Sequence, residues 1–408
     1  KGGHTTSYTY DGNGNVTSAT DAKGNVTTFE YDIMDNLSKV TLHRVDEQDG
    51  VDEYEVTLYE YDGRGLQTKV VDALGNVTVH QYDGNGNLVK TTDADGYVTE
   101  YTMDALDLIE HINYNGGKQV DYAYNKTGDL VKMEDWSGTT TYEVDLLHRI
   151  TATTDRLGKH VAYTYAGVGN QTSVSYPDGT VATKEYDLVK NLTKFVEEDG
   201  RTTTYTYDGM RRVTHMNYPD GWQEDYHYDS IGQLLAIEDT DPSGKDMKQQ
   251  KNTFTYDVCG NMVHEYMRGN GTGETTTDVT YTYDELHRVT SAKELYGNAW
   301  RNYQYDSLGN LTWEDNSNSV HYDYKMNNLN QVTEKHYSTN DKEGTLYTYD
   351  KRGNLVKEEY GKLNGNENGQ KRQTVAQYVY DETNKMVQGV NSIGESSSYL
   401  FNGKNALV

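Results

Sequence analysis

The sequence is poor in the residues that usually build a hydrophobic core or cross-link a fold. Leu, Ile, Val and Phe together make up less than a fifth of the 408 residues. No run approaches the roughly 18 apolar residues that a membrane-spanning helix needs. The chain has 3 prolines and 1 cysteine, Cys259, which excludes a disulfide framework. Few aliphatic residues and a formal net charge of −27 are together typical of disordered chains.

Basic residues are also scarce, with 37 Lys and Arg against 64 Asp and Glu. Since nucleic acids and anionic membranes attract cationic surfaces, we expect neither as a partner, and we expect no membrane span. The sequence shows no signal peptide and begins inside a repeat. We therefore expect a segment of a longer protein, whose N-terminal and C-terminal domains are absent from residues 1–408.

Glycine and tyrosine, by contrast, are abundant, with 39 and 38 residues, and they recur at fixed intervals. Residues 81–101, QYDGNGNLVKTTDADGYVTEY, show the unit. Tyr-Asp and a Gly-Asn turn precede a short strand, and an Asp-Gly turn precedes an alternating strand that leads to the next copy. Asn-Gly and Asp-Gly pairs supply the positive φ angles that tight hairpin turns need. Each unit therefore predicts one β-hairpin plus the turn to the next.

The Tyr-Asp position, here called the anchor, recurs about every 21 residues, and where Tyr is replaced the turn keeps its register. A strict register over so many copies argues against disorder. We predict an all-β fold without helices, in which residues 1–408 form a single array of about 18 tandem β-hairpin units, the last one truncated. The anchors stand at residues 10, 31, 61, 82, 103, 124, 144, 165, 186, 207, 228, 256, 283, 305, 326, 349, 380 and 401.

Four intervals between anchors are long: 31–61, 228–256, 256–283 and 349–380. The extra residues are polar and rich in glycine, and they all fall after the first strand of the unit. We interpret them as lengthened hairpin tips on one edge of the array. The simpler alternative, which we favour, is that they are surface loops without a function.

Many units carry a second tyrosine two residues before the anchor, as in Tyr205 and Tyr207. Residues i and i+2 of a strand share a face, so neighbouring hairpins are expected to stack these rings into ladders. Such ladders would replace the missing aliphatic core, at roughly 0.2–1 kcal/mol per cross-strand pair. The functional alternative is an exposed tyrosine surface that binds sugar rings.

No chemical motif stands apart from the repeat. His264-Glu265 is not a zinc-protease motif, because the second histidine is replaced by Arg268. Asp93-x-Asp95-Gly96 has too few oxygen ligands for a calcium-binding loop of the EF-hand type, although an incidental calcium ion in such a turn is an open alternative. We predict no catalytic, cofactor-binding or metal-binding residues, no cofactor and no enzymatic activity.

The unit resembles the repeat of the YD-repeat, or RHS-repeat, family, which includes bacterial Rhs and wall-associated polymorphic toxins, the B and C components of Tc toxins, and animal teneurins. The resemblance covers essentially the whole chain. The first half of the family motif is matched at residues 82–88 (YDGNGNL), 305–311 (YDSLGNL) and 349–355 (YDKRGNL), and the second half at residues 21–27 (DAKGNVT) and 72–78 (DALGNVT).

This resemblance implies a long antiparallel ribbon of hairpins that spirals into part of a hollow shell. In the toxins the shell encloses a C-terminal effector, and in teneurins it is an extracellular scaffold. The C-terminal core-associated segment that caps many family shells is missing before Val408, and Asp241-Pro242-Ser243-Gly244 is interpreted as a turn rather than as part of it.

The implied function is a non-catalytic structural scaffold in a large secreted or cell-surface bacterial protein. Its partners would be a toxin effector or other domains of the same polypeptide. The alternative is a cell-surface adhesin or carbohydrate-binding repeat module, whose partners would be glycans or a neighbouring cell surface.

The size of the array also predicts a shape. About 36 strands spaced about 4.8 Å apart form a ribbon on the order of 170 Å long. Bent once into a ring, it would have a diameter of about 55 Å. We therefore expect an open, curved band of at most one turn rather than a closed shell.

Overall fold

The computed structural model describes residues 5–46, 50–241, 250–268, 276–337, 343–362, 372–404 and 406–407. Every regular element in these ranges is a β-strand, and 35 strands form one sheet. The predicted all-β fold of tandem hairpins is confirmed. Within the same ranges, no helix is long and apolar enough to cross a membrane.

The strands are mostly five to seven residues long, as expected for the short alternating runs between turns. In chain order they are β1 Ser7–Tyr10, β2 Val16–Thr20, β3 Val26–Tyr31, β4 Leu37–Asp46, β5 Val51–Tyr61, β6 Gln67–Val71, β7 Val77–Tyr82, β8 Leu88–Thr92, β9 Val98–Met103, β10 Ile109–Tyr114, β11 Gln119–Tyr124, β12 Leu130–Asp135, β13 Gly138–Val144, β14 Ile150–Thr154, β15 His160–Tyr165, β16 Gln171–Ser175, β17 Val181–Tyr186, β18 Leu192–Val196, β19 Thr202–Tyr207, β20 Val213–Asn217, β21 Gln223–Tyr228, β22 Leu234–Thr240, β23 Gln250–Tyr256, β24 Met262–Arg268, β25 Thr277–Tyr283, β26 Val289–Glu294, β27 Trp300–Tyr305, β28 Leu311–Asn316, β29 His321–Met326, β30 Val332–Tyr337, β31 Glu343–Tyr349, β32 Leu355–Lys362, β33 Gln373–Tyr380, β34 Met386–Asn391 and β35 Ser396–Ser398.

Each strand pairs antiparallel with the strand before it and the strand after it. Among the described strands, β1 pairs only with β2 and β35 only with β34. The sheet is therefore an open ribbon, as predicted. Its two edges differ, because the Tyr-Asp turns of the anchors all lie on one edge and the Asp-Gly turns all lie on the other.

The aspartate after the anchor shapes the anchor turn. The backbone N–H of Asp83 donates to the carbonyl of Asn87 at 3.0 Å. The Oδ1 atom of Asp83 accepts from the backbone N–H groups of Asn85 and Asn87 at 2.9 and 2.8 Å. Gly86 takes the positive φ angle of 95° that the turn requires. Where glycine is replaced, as at His148, a non-glycine residue holds the same conformation with φ 62°.

The anchor tyrosine ties each hairpin to the one before it. The hydroxyl of Tyr207 donates to the carbonyl of Leu192 at 2.8 Å. Tyr82 does the same to Gln67 at 2.8 Å. The accepting carbonyl always lies six residues after the preceding anchor, even where an insertion separates the two residues, as between Tyr61 and Leu37 at 2.9 Å. Eleven of these bonds are found among the described residues, some within a plain unit and some across an insertion, for Tyr31, Tyr61, Tyr82, Tyr124, Tyr165, Tyr186, Tyr207, Tyr256, Tyr283, Tyr305 and Tyr349.

The expected ladders of anchor rings and of the rings two residues before them are not found among the described residues, although Tyr322, Tyr337 and Tyr360 make edge-to-face contacts at 5.1 and 6.1 Å between ring centres. The cross-strand partner of Tyr122 is Met133, and that of Tyr205 is Met216. Equivalent tyrosines lie on every second strand, roughly 9.6 Å apart at about 4.8 Å per strand, which is beyond ring contact. The rings therefore alternate with the side chains of the intervening strand. An arginine covers an anchor ring at some units, as Arg212 does at Tyr228, 4.5 Å from the ring centre.

The long intervals between anchors are lengthened hairpins, as predicted. In the first of them, β4 and β5 pair without a break from Lys39 and Leu58 to Asp46 and Val51. The outermost residues of all four, 47–49, 242–249, 269–275 and 363–371, lie outside the described residues, and they include residues 242–244 and 363–369. The first of these hairpins contacts a distant part of the ribbon and so has a structural role, while the favoured alternative, that the long intervals have no function, stays a prediction.

The outer end of β4 meets the turn between β27 and β28. The hydroxyl of Ser307 accepts from the backbone N–H of Val45 at 2.7 Å and donates to the carbonyl of His43 at 2.8 Å. The backbone N–H of Ser307 donates in turn to the carbonyl of Val45 at 2.9 Å. Residues more than 260 positions apart are thereby joined through their backbones.

The same offset between contacting turns recurs along the seam. The seam is the line where the two edges of the ribbon meet. The turn before β3 meets the turn before β26 through Lys23 and Asp284, 3.7 Å apart. The turn before β9 meets the turn before β32 through Asp95 and Arg352, 3.3 Å apart. Each contact joins turns 23 strands apart. Further members of the seam are Lys118 with Asp381 and Trp136 with the carbonyl of Phe401.

The ribbon is therefore a coil of more than one turn, not the band of at most one turn that we expected. Twenty-three strands at about 4.8 Å give a path of about 110 Å per turn, and hence a backbone diameter of about 35 Å instead of 55 Å. The number of strands per turn of the coil is odd, because the Asp-Gly edge of one turn of the coil must face the Tyr-Asp edge of the next.

The most buried ion pair of the seam lies at the base of the β4–β5 tip. Arg44 is 5% exposed and Glu55 is 3% exposed. The Nε of Arg44 lies 3.3 Å from Oε1 of Glu55, and its guanidinium also donates to the carbonyl of Met326 at 3.1 Å. The amide of Asn330 donates to Oε2 of Glu55 at 3.0 Å. Two strands of the first turn thus hold the second turn through a buried charge network.

Removing the anchor hydroxyl should weaken the contact between neighbouring hairpins. We expect Tyr207→Phe to lower the free energy of unfolding by about 1 kcal/mol, because the Leu192 carbonyl loses its donor. Tyr205→Phe is the matched control on the same strand. Its hydroxyl has no hydrogen-bond partner among the described residues, so a much smaller change is expected. Urea unfolding of the two variants tests this, and equal losses would contradict it.

Breaking the buried ion pair should open the seam. We expect Arg44→Met to cost about 3–5 kcal/mol, because the buried carboxyl group of Glu55 would lose its cationic partner. The control is Arg64→Met, since Arg64 is 45% exposed beside Asp62 and surface pairs contribute at most about 1 kcal/mol. Thermal melting and small-angle scattering would report the loss of stability and the expansion. A compact Arg44 variant with unchanged melting would refute the role of the pair.

Candidate functional site: the tyrosine face

The two faces of the ribbon have different chemistry. In β3, Phe29 and Tyr31 are half-buried, whereas Thr28 and Glu30 between them are exposed. We call the face that carries the anchors, the residues two before them and their cross-strand partners the tyrosine face. Residues that pair directly across two strands lie on the same face, as Tyr205 and Met216 do. The pairing register therefore shows which residue of each strand belongs to the tyrosine face.

The tyrosine face is shielded although, in the described part of the chain, no second layer of the sheet packs on it. Side chains on the concave side of a curved sheet converge and cover one another, and those on the convex side diverge. Tyr205 and Tyr207 are half-buried while Thr206 between them is exposed. We infer that the tyrosine face is the concave face of the coil.

One position on this face divides the chain into two parts. It lies nine residues after each anchor and pairs with the residue two before the same anchor. Up to β22 it is apolar or Thr, and from β24 onward it is mostly charged. In order, its occupants are Ala19, Val40, Val70, Thr91, Ile112, Met133, Thr153, Val174, Phe195, Met216, Ile237, Glu265, Ala292, Glu314, Lys335, Glu358 and Gly389.

The apolar part of the face contains the core of the molecule. Ile112, Val120 and Met133 form its buried cluster, and Val120 and Met133 are 0% and 1% exposed. Residues 401–404 of the second turn lie against this cluster. The backbone N–H of Gly403 donates to Oδ2 of Asp135 at 2.6 Å, and the Lys404 ammonium lies 4.1 Å from the centre of the Tyr142 ring.

In the charged part, tyrosine hydroxyls donate to the glutamates. Tyr324 donates to Glu314 at 2.8 Å, and Tyr378 donates to Glu358 at 2.8 Å. The hydrogen bond to Glu358, together with burial, raises the pKa of Tyr378 to about 12. Burial and the Glu314 carboxylate likewise raise the pKa of Tyr324. Each pair joins a glutamate of one unit to a tyrosine of the next.

Ion pairs are concentrated on the opposite face. Glu30 pairs with Lys39 at 2.8 Å, and Glu185 pairs with Lys194 at 2.9 Å, each directly across two strands. These contacts are exposed and therefore contribute little stability. They neutralise these carboxylates of the convex face locally.

The motifs that we considered from the sequence have structural roles or separate surroundings. His264 lies 2.6 Å from Asp278 on the convex face, while Glu265 lies on the tyrosine face. Asp93 and Asp95 both face the guanidinium of Arg352 across the seam. Whether such a turn also binds calcium stays an open alternative. The described ranges contain no group of His, Cys, Asp and Glu arranged to hold a metal ion.

The sequence analysis missed the glutamates of the tyrosine face. The signal was available, since aligning the units on their anchors places Glu265, Glu314 and Glu358 at one position. The anchor motif does not include this position.

The family model described as RHS Repeat matches residues 2–26, 10–42, 61–100, 82–114, 145–181 and 186–221. All of these ranges lie before Glu224, so they fall on the first turn of the coil and not on its charged part. No curated protein matches the sequence of this chain.

Solved structures of Tc toxins have a similar fold. The Tc holotoxin pore of Photorhabdus luminescens is similar over 98% of this chain, with 14% identity and a TM-score of 0.59, and the match covers 26% of that chain. The crystal structure of TcdB2-TccC3 is similar over 98% of this chain, with 14% identity and a TM-score of 0.59, and 27% of that chain is covered. The chain thus spans about a quarter of the length of these structures.

The buried tyrosines predict alkaline unfolding. Burial is the main cause that raises the pKa of Tyr122 and Tyr218 to about 12, and other tyrosines of this face shift in the same direction. A raised pKa means that the fold favours the neutral ring. The stability that these groups contribute is present below the ordinary pKa of 10.0 and is lost as the pH rises toward 12.

Tyrosinate absorbance and far-ultraviolet circular dichroism over this pH range should therefore change together. In Glu358→Gln, the pKa of Tyr378 should fall toward its ordinary value, since the charge next to it is gone. Ionisation of the tyrosines near pH 10 with the sheet intact would contradict the prediction.

Proposed function

Because the chain is an RHS-repeat protein whose fold is similar to that of Tc toxins, we propose that it is a non-catalytic segment of the wall of a hollow shell. The shell belongs to a large secreted or cell-surface bacterial protein and encloses a C-terminal toxin effector of the same polypeptide. The single observation that carries this proposal is the coil itself, in which turns 23 strands apart meet edge to edge.

A coil of this kind makes a wall one sheet thick around an interior. Backbone bonds and buried charges seal the seam, as at Ser307 and at Arg44 with Glu55. With a backbone diameter of about 35 Å and side chains on both faces, the space inside is on the order of 20 Å wide. A folded domain of about 100 residues has a radius of gyration of about 13 Å, so its diameter exceeds the width of this space. An extended polypeptide is narrow enough to fit.

The composition of the wall supports a structural role. The seam and the convex face use their charged side chains in ion pairs, and the anchors use their hydroxyls to join hairpins. These side chains are in this way already committed to holding the ribbon in register.

Limited proteolysis of the full-length parent protein tests the proposal. If the shell encloses the effector, the C-terminal domain should resist protease as long as the wall is intact. Arg44→Met combined with Ser307→Ala opens the seam and should expose that domain to cleavage. Arg64→Met serves as the control and should leave it protected. A C-terminal domain that is cleaved equally fast in the unaltered protein would overturn the proposal.

A further inference from the structure

The tyrosine face is charged over one continuous stretch. From β6 to β20, its paired strand positions carry only Asp135 and Lys184 as charged residues, and Asp135 accepts from the backbone of Gly403. From β21 to β32, the cations on this face are Arg301, Lys335 and Lys362, of which Lys362 lies directly opposite Glu343. The carboxylates of the same stretch, here called the acidic row, are Glu224, Asp239, Glu265, Glu294, Glu314, Glu343 and Glu358.

None of the acidic row has an ion-pair partner within the described ranges. Tyrosine hydroxyls are the donors that reach it, as from Tyr281 to Glu265 at 3.2 Å and from Tyr324 to Glu314 at 2.8 Å. Lys335 does not neutralise it, since its ammonium lies over the Tyr322 ring, 3.9 Å from the centre.

Asp239 shows the cost of this arrangement. Its Oδ1 atom is buried and has no hydrogen-bond partner. Burial and the nearby charge of Glu224 raise the pKa of its carboxyl group. Half-buried carboxylates that lack cations are unfavourable unless a ligand supplies the missing charge.

At the seam, the structure contains one example of a segment that lies against the edge of the tyrosine face. Residues 401–404 donate a backbone N–H to Asp135 and place the Lys404 ammonium over the Tyr142 ring. A carboxylate and a tyrosine of this face therefore already bind an amide group and a cation of another segment. The acidic row offers the same two groups repeatedly, without an occupant from the described residues.

We propose that the acidic row binds the cationic side chains of a polypeptide segment that lies extended inside the coil. This inference rests on the proposed function, because it names the chemistry of the enclosed chain. The row runs over twelve strands, or about 55 Å at about 4.8 Å per strand. A metal ion or a small cation would touch only one member, whereas an extended basic segment can reach several.

Binding of a fluorescently labelled oligo-arginine peptide to the 408-residue chain tests the proposal. The inner variant carries Glu224→Gln, Glu265→Gln, Glu314→Gln and Glu358→Gln, which keep an acceptor oxygen for the tyrosines. The outer variant carries Glu30→Gln, Glu60→Gln, Glu185→Gln and Glu238→Gln on the convex face. Both variants change the net charge equally, and circular dichroism checks that both keep the sheet.

Affinity should fall about tenfold in the inner variant and much less in the outer variant, with a strong salt dependence in the unaltered chain. Equal losses in both variants, or no binding by the unaltered chain, would overturn the proposal.

Carbodiimide cross-linking in the full-length parent protein gives a second measurement, because it joins carboxylates to lysines that contact them. Cross-links from the acidic row to the enclosed segment are expected. A C-terminal domain that is protected from protease but gives no such cross-links would refute this inference alone, whereas an unprotected domain would refute the proposed function.

Discussion

The hydrogen bond from the anchor tyrosine to the preceding hairpin is the interaction on which the rest of the ribbon depends. A ladder of backbone bonds fixes neighbouring strands but leaves the curvature of a long sheet free. The anchor hydroxyl adds a second point of attachment on one face, always at the same carbonyl. Since Tyr61 and Tyr256 reach that carbonyl across insertions, the spacing between hairpins is constant even where the chain is longer. Constant spacing on one face is what allows the ribbon to bend uniformly.

Uniform bending then determines how one turn meets the next. The Tyr-Asp edge offers Asp284, Ser307 and Arg352, and the Asp-Gly edge of the turn before it offers their partners. An offset of 23 strands brings unlike edges together at every one of these contacts. Deleting or inserting one whole unit between two seam contacts would preserve the pairing of neighbouring strands, but it would shift the seam by two strands. The repeat is therefore less modular than its sequence suggests.

The sequence predicted what is local and missed what is distant. Glycine and aspartate at fixed spacing were enough for the hairpins, the turns and the open sheet, because each depends on residues within one unit. The coil depends on Arg44, Ser307 and Arg352, whose partners are more than 200 residues away and follow no motif. The rings were expected to stack because alternate strands were counted as neighbours. The acidic row went unnoticed because it lies outside the anchor motif.

The division of the tyrosine face has an energetic consequence. An aliphatic side chain contributes roughly 1.5–3 kcal/mol when it is buried, and a glutamate at the same position gives this up. A hydrogen bond from a tyrosine to the carboxylate of this glutamate contributes an amount of about the same size. The sheet is therefore about equally stable with an aliphatic residue or a glutamate at this position. For a wall alone, however, the exchange brings no benefit. Lysines beside Glu265, Glu314 and Glu358 would neutralise them, as lysines do on the convex face. Carboxylates kept without cations on the concave side are therefore better explained by a cationic ligand than by the stability of the sheet.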